Sequence, residues 1–346
     1  MAKRKSFRLN GHEVAPGTRQ TVELPVSLLS DHTPVNLSVR VLHGARKGPT
    51  LFVSAAVHGD EVMGVEICRR LLQSPLLERL RGTLLVVPIV NTFGFHNRSR
   101  YLPDRRDLNR SFPGYARGSL ASRLAEIFLD TVVKRCDLGI DLHSAAVHRT
   151  NLPQVRITPG NERLVRLAEA FGAPVVLTSP LREGSLRAEA RKAGIDVLLF
   201  EAGEGLRFDE MAARVGVMGI LRILREMEML PAKGIAKPRA RPLFSSQSSW
   251  VRAPAGGLLR SFRGDGDVVR DGDVIAAVTD PFGEVETEVV APSAGIIIGR
   301  AVLPVVNEGD ALFHLAEAPH ARAADTVGEL ASQLETSPLF DEDEII

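Results

Sequence analysis

His58 and Glu61, three residues apart in SAAVHGDEVMGVE (54–66), follow directly on an apolar run. An imidazole nitrogen and a carboxylate at that spacing converge on one point if the backbone bends at Gly59, and zinc accepts the pair when a further histidine joins them as third ligand. Alone, the pattern fits equally a buried histidine beside a glutamate that favours the positive end of a helix. A second apolar run, GIDLHS, ends at His143. Strand alternation puts Asp141 on the same side as His143, where it can fix the tautomer of the ring. Two strand ends, one with His-x-x-Glu and one with a histidine, together favour a metal site.

A third run, LLFEAGEG, ends at Glu201. A zinc hydrolase needs a carboxylate that is not a ligand, to take a proton from the metal-activated water and pass it to the leaving nitrogen. Glu201 is the candidate, with Glu204 one loop further as its rival. The loop NRSRYLPDRRDLNRSFPG gathers Arg98, Arg100, Arg105, Arg106 and Arg110 around Asn109. Arginine forks bind carboxylates through paired hydrogen bonds, and a guanidinium beside a metal also stabilises an oxyanion. Pairing with Asp104 and Asp107 would account for the charge of this loop but not for DLNRSFPG. His96 and His148 end no apolar run and are expected at a loop or pocket rim.

These residues need elements to carry them. Short β-branched runs at 50–58, 82–91, 136–144 and 194–203 alternate with helical spacing at 61–73, 119–134, 161–172, 184–193 and 209–229. The pattern predicts an α/β fold: a mostly parallel or mixed sheet with helices on both faces, whose strand ends form the ligand rim. Before it, residues 20–49 alternate apolar and polar positions around turn signals, as an antiparallel lead-in at a sheet edge does.

After the segment LPAKGIAKPRARPLFSSQS, rich in Pro, Lys, Arg and Ser, the texture changes to short strands and Gly/Asp turns. VRAPAGGLL with RDGDVIAAV returns as VVAPSAGII with NEGDALFHL, so Gly257 answers to Gly295 and Gly272 to Gly309. Two similar halves predict a small all-β sandwich.

The totals narrow the function. The 43 Lys plus Arg nearly cancel the 42 Asp plus Glu, and no basic run recurs with aromatics, so nucleic acid is not expected as a partner. Neither a signal-like segment nor a long apolar stretch is present, so the expectation is a cytoplasmic protein that does not enter a membrane. Cys68 and Cys136 read as reduced core thiols.

In this order, HGDE, DLNRSFPG, DLHS and FEAGE resemble the succinylglutamate desuccinylase/aspartoacylase family of the zinc carboxypeptidase clan, over roughly residues 50–205. The resemblance implies one zinc per chain on His58, Glu61 and His143, with Glu201 as general base and acid. It places Asn109 and Arg110 on the substrate carboxylate and makes Arg100 the match for the carbonyl-polarising arginine, with Arg98 and Arg105 as alternatives. It further implies hydrolysis of the amide bond of a small N-acyl amino acid or related amine by metal-activated water. The C-terminal repeats are similar to the halves of a biotinyl/lipoyl-type barrel sandwich. A covalent carrier is excluded because residues 251–346 hold no lysine.

The expected organisation is a β lead-in over 1–49 within the catalytic domain, a zinc-hydrolase domain over 50–230, a linker over 231–249, a sandwich over 250–318 and a polar acidic tail over 319–346. The sandwich would pack on the catalytic unit, narrow its mouth or support a homo-oligomer. Competing readings are a zinc carboxypeptidase acting on short peptides and a non-catalytic small-molecule sensor.

Overall fold

The computed structural model describes residues 4–238, 240–321 and 323–324. Two short strands, β1 (Phe7–Leu9) and β2 (His12–Val14), form a separate hairpin. β3 (Thr18–Leu28) and β4 (Pro34–His43) then pair antiparallel at the edge of the main sheet, alternating exposed and buried residues. The chain continues through β5 (Arg46–Ala55), α1 (Met63–Gln73), β6 (Arg81–Val87), α2 (Thr92–His96), α3 (Leu120–Thr131), β7 (Leu138–His143) and β8 (Arg149–Ile157). It closes this unit with α4 (Glu162–Phe171), β9 (Val175–Thr178), α5 (Leu186–Lys192), β10 (Asp196–Glu204) and α6 (Glu210–Glu226).

β6, β5, β7 and β10 lie side by side and parallel. Covered on both faces, such strands need apolar residues at every position, which is why the sequence shows runs rather than alternation. Leu51, Val53 and Ala55 of β5 join a cluster with residues of α1, α4 and α6. Phe52, between them, points the other way, to α3 and α5. The fold is therefore mixed α/β with helices on both faces. Two strands break the parallel pattern: β4 runs antiparallel to β6, and β8 antiparallel to β10.

From residue 243 onward β-structure takes over: β11 (Leu243–Ser245), β12 (Ser248–Arg252), β13 (Gly257–Ser261), β14 (Val268–Val269), β15 (Val274–Thr279), β16 (Glu286–Val290), β17 (Gly295–Ala301), β18 (Val305–Val306) and β19 (Ala311–Glu317). β16, β15, β13 and β18 make a four-stranded antiparallel sheet. β12, β19 and β17, with β14, instead extend the main sheet, which reaches thirteen strands. The internal repeat is visible in the packing. A Cβ on either Gly257 or Gly295 would lie 2.2 Å from a carbonyl oxygen of the facing strand, that of Thr279 or Ala316.

β8 is the seam. Gln154–Ile157 pair with β9, whereas Arg149–Asn151 pair with β17 at Ala301–Gly299. The segment expected to be a linker contains β11, which lies parallel to β9. Cys68 and Cys136 are buried and unpaired, and burial pushes both thiols up. Among the described residues no helix is long and apolar enough to cross a membrane. The tail expected over 319–346 lies almost wholly outside the described residues.

Candidate active site

After β5 the chain turns sharply. Ala56 takes φ +49°, and the turn is tied to the β6–α2 connection by Val90 N–H to Ala55 O at 3.0 Å and Asn91 N–H to Ala56 O at 2.9 Å. The bend expected at Gly59 follows as a second turn, over Gly59 and Asp60. Gly59 is there for proximity, since a Cβ would fall 1.9 Å from the carbonyl carbon of Gly94. A tight turn, Glu61 N–H to His58 O at 3.1 Å, brings the two side chains to the same side just before α1.

His58, Glu61 and His143 are all buried and converge: one ligand atom from each lies within 4.8 Å of the others. His58 Nδ1 stands 2.6 Å from Glu61 Oε1, and His143 Nδ1 stands 2.7 Å from Oε2 of the same carboxylate. The far nitrogen of each ring meets another acid. His143 Nε2 is 2.8 Å from Asp141, and His58 Nε2 is 3.2 Å from Asp107. Burial opposes charge on both imidazoles, yet the carboxylates outweigh it and hold both above the ordinary histidine range. Glu61 is correspondingly held low by the two histidines despite the desolvation that opposes its charge. Two neutral-capable nitrogens and a carboxylate, each oriented by its outer partner, are the donor set that suits zinc.

Glu201 lies beside His143 across the β10–β7 ladder and faces the same cavity, which measures about 500 Å³. Glu204 does not line it. That carboxylate accepts the His148 backbone N–H at 3.1 Å and pairs with Arg207. Glu201 has two partners from β8: Asn151 Nδ2 donates to Oε2 at 2.7 Å, and Arg156 is 3.3 Å from the same oxygen.

Of the three arginines weighed from the sequence, Arg100 reaches the donor cluster, with Nη1 3.4 Å from Glu61 and with Nε and Nη2 both donating to Asp107 Oδ2. Arg98 and Arg105 are exposed and take positive φ in the loop. Asn109 is buried, its Oδ1 accepting the N–H of Leu186 at the start of α5. Arg110 donates to Asn109 O at 2.6 Å, and both residues line the cavity. His96 and His148 are exposed and stand outside the lining.

Several lining residues are absent from the motifs. Arg187 of α5 is nearly buried, with no carboxylate in ion-pair range among the described residues; burial first, then neighbouring Arg156, pulls it down to about 10. β12 and β19 also line the cavity. Trp250 and His314 stack at 4.5 Å and 7°, and the Arg149 guanidinium lies 5.3 Å from the Trp250 ring centroid. His314, with Nε2 3.0 Å from Ser248 Oγ and Nδ1 without a partner among the described residues, is pushed down to about 3, mainly by burial. No local motif announces these residues, because strand pairing rather than sequence proximity brings them here.

The chain is similar to known proteins in both sequence and fold. Over 284 residues the chain is 27% identical to the N-alpha-acetyl-L-2,4-diaminobutyric acid deacetylase of Halomonas elongata, covering 78% of this chain and 83% of that protein. A succinylglutamate desuccinylase/aspartoacylase structure from Rhodobacter sphaeroides superposes with a TM-score of 0.77 at 25% identity, over 87% of this chain and 96% of that one. The product-bound ectoine utilization protein EutE (DoeB) of Ruegeria pomeroyi gives a TM-score of 0.78 at 24% identity, over 87% and 95% of the two chains. The model of the succinylglutamate desuccinylase/aspartoacylase catalytic domain matches residues 47–227, more than half of the chain. With this match the chain belongs to the succinylglutamate desuccinylase/aspartoacylase family.

Proposed function

We propose that the protein is a zinc-dependent amidohydrolase that removes the acyl group from a small N-acyl amino acid or related N-acyl amine. The observation that carries this reading is that His58, Glu61, His143, Glu201 and Arg100 line one cavity. Descent from a family of deacylases supports the reaction class.

In this reading His58, Glu61 and His143 would hold one zinc. The ion, when bound, supplies a Lewis acid that activates water and polarises the acyl carbonyl. Glu201, not needed as a ligand, accepts the proton of the attacking water on its carboxylate and returns it to the leaving nitrogen. Arg100 sits beside the donor cluster, and its guanidinium steadies negative charge developing on the acyl oxygen. Asp107 keeps that guanidinium in place. Asn109 and Arg110 hold a substrate carboxylate.

The cavity favours an anionic substrate. Arg187 and Arg156 are neighbouring cations, and only Arg156 has an acid, Glu201, in ion-pair range among the described residues. A substrate carboxylate would complete their pairing with charge-assisted hydrogen bonds.

The test is incubation of the zinc-loaded protein with N-acetyl and N-succinyl amino acids, diamines and short peptides, with and without chelator, reading free amine. Chelator-sensitive release from an N-acyl amino acid or amine supports the proposal. Release from peptides alone would make the protein a carboxypeptidase, and bound zinc with no release from any of them would make it a sensor.

A further inference from the structure

A single row of residues crosses five strands two residues beyond the proposed base. Gly203 of β10 faces Asn151 of β8; Asn151 faces Gly299 of β17; Gly299 faces His314 of β19; His314 faces Trp250 of β12. The row begins in the strand that carries Glu201 and ends in the C-terminal β-region.

Its geometry depends on a β-bulge. In the β10–β8 pairing Glu201 faces Gln154 but Gly203 faces Asn151, so β8 spends one more residue than β10 over this stretch. An extra residue reverses the inward and outward alternation of a strand. Arg156 and Asn151, of opposite parity, can therefore both reach the same Glu201 oxygen.

The orientation of the Asn151 amide follows from chemistry. An ionised carboxylate only accepts, so the NH₂ end must face Glu201 and the oxygen must turn the other way. That way lies Gly299. A Cβ on Gly299 would stand 2.5 Å from Asn151 Oδ1 and 3.1 Å from Thr150 O. Asn151 is buried, so the amide has little room to step aside.

We propose that Asn151 is a positioning residue that aims the Glu201 carboxylate, and that Gly299, supplied by the C-terminal β-region, sets the pose of Asn151. The C-terminal region is then a working part of the proton-transfer apparatus. This inference rests on Glu201 being the proton carrier, as proposed above.

Two measurements test it, both on the full zinc-loaded chain. The first is a crystal structure of Gly299→Ala. The Asn151 amide is expected to have left Glu201; a retained hydrogen bond near 2.7 Å overturns the role of Gly299 whether or not any substrate is turned over.

The second is a double-mutant cycle on the N-acyl amino acid that the panel shows to be cleaved fastest, with zinc content and Tm recorded for each variant. Asn151→Ala should lower kcat roughly ten- to a hundredfold, the effect of one hydrogen bond to a charged group, with KM and zinc content unchanged. Gly299→Ala should lower kcat comparably in the parent and have no further effect in the Asn151→Ala background. Full kcat in Asn151→Ala, or additive losses in the double variant, would overturn the proposal. Should Gly299→Ala not fold, Asn151→Ala and Asn151→Asp, which both lose the donor, decide the Asn151 part by the same kcat criterion. Glu201→Gln, measured alongside, separates the two levels: if it remains active the base assignment fails, and if it is silent while Asn151→Ala is fully active only this inference fails.

Discussion

His143 Nε2 and Asp141 Oδ2 lie 2.8 Å apart, two positions along one strand, while Ser54 Oγ donates to the other oxygen of Asp141 at 2.7 Å. The aspartate is fully buried and held from β5, so it fixes the imidazole with Nδ1 turned toward Glu61. The partner of a metal-ligating histidine orients the ring and raises its basicity.

Asp141→Asn keeps the shape and removes the charge. Zinc affinity should fall by roughly 10- to 100-fold, measured by competition with a chromogenic chelator. An unchanged affinity would show that Asp141 has no hand in holding the ligand.

Two substitutions separate ligand from base. His143→Ala should lose zinc, read as metal stoichiometry after desalting. Glu201→Gln should keep zinc and lose turnover by roughly 10²- to 10⁴-fold, the usual contribution of a general acid–base group. Activity retained in Glu201→Gln would transfer the role to Glu204.

His58 and His143 were legible as candidate metal donors because each follows an apolar strand run at a chain position that the α/β alternation can be counted to, with Glu61 three residues beyond His58. Asn151 and Arg156 were not. Pro153 and the bulge break the period of β8, so RTNLPQVRI shows no clean alternation. Trp250 and His314 were hidden for a different reason: their place at the cavity depends on β17 pairing with β8, a register that no short stretch of sequence encodes. The turn at Gly59 was legible, but the earlier one at Ala56 was not, because hydrogen bonds from Val90 and Asn91 hold a non-glycine residue at positive φ.

Arg187→Ala should raise KM for a carboxylate-bearing substrate at least tenfold while kcat changes less, if its loss removes binding shared by ground and transition states. Lysine at 187 should restore little, since a point charge cannot reproduce a guanidinium fork. An unaltered KM would remove Arg187 from substrate recognition.

His314 gives stability a definite pH dependence. Its folded state binds a proton only near pH 3, against an ordinary value of 6.5. Between those values the unfolded chain is protonated and the folded one is not, so stability should be complete above about 6.5 and decline as pH falls toward 3. His314→Gln should flatten that decline in Tm against pH. Parallel curves for the variant and the parent would show that His314 does not titrate this way.

The pairing of β8 with β17 has a consequence for how the protein comes into being. Asn151 and Gly299 are roughly 150 residues apart along the chain, and joining them means closing a loop of that length, a step that slows folding far more than it costs in stability. A ribosome that has released β10 has already delivered every proposed zinc ligand and Glu201, but not β17, whose Gly299 faces Asn151. The nascent chain can therefore gather its proposed metal donors well before it has the full wall of its pocket, which β12 and β19 complete once β17 joins β8.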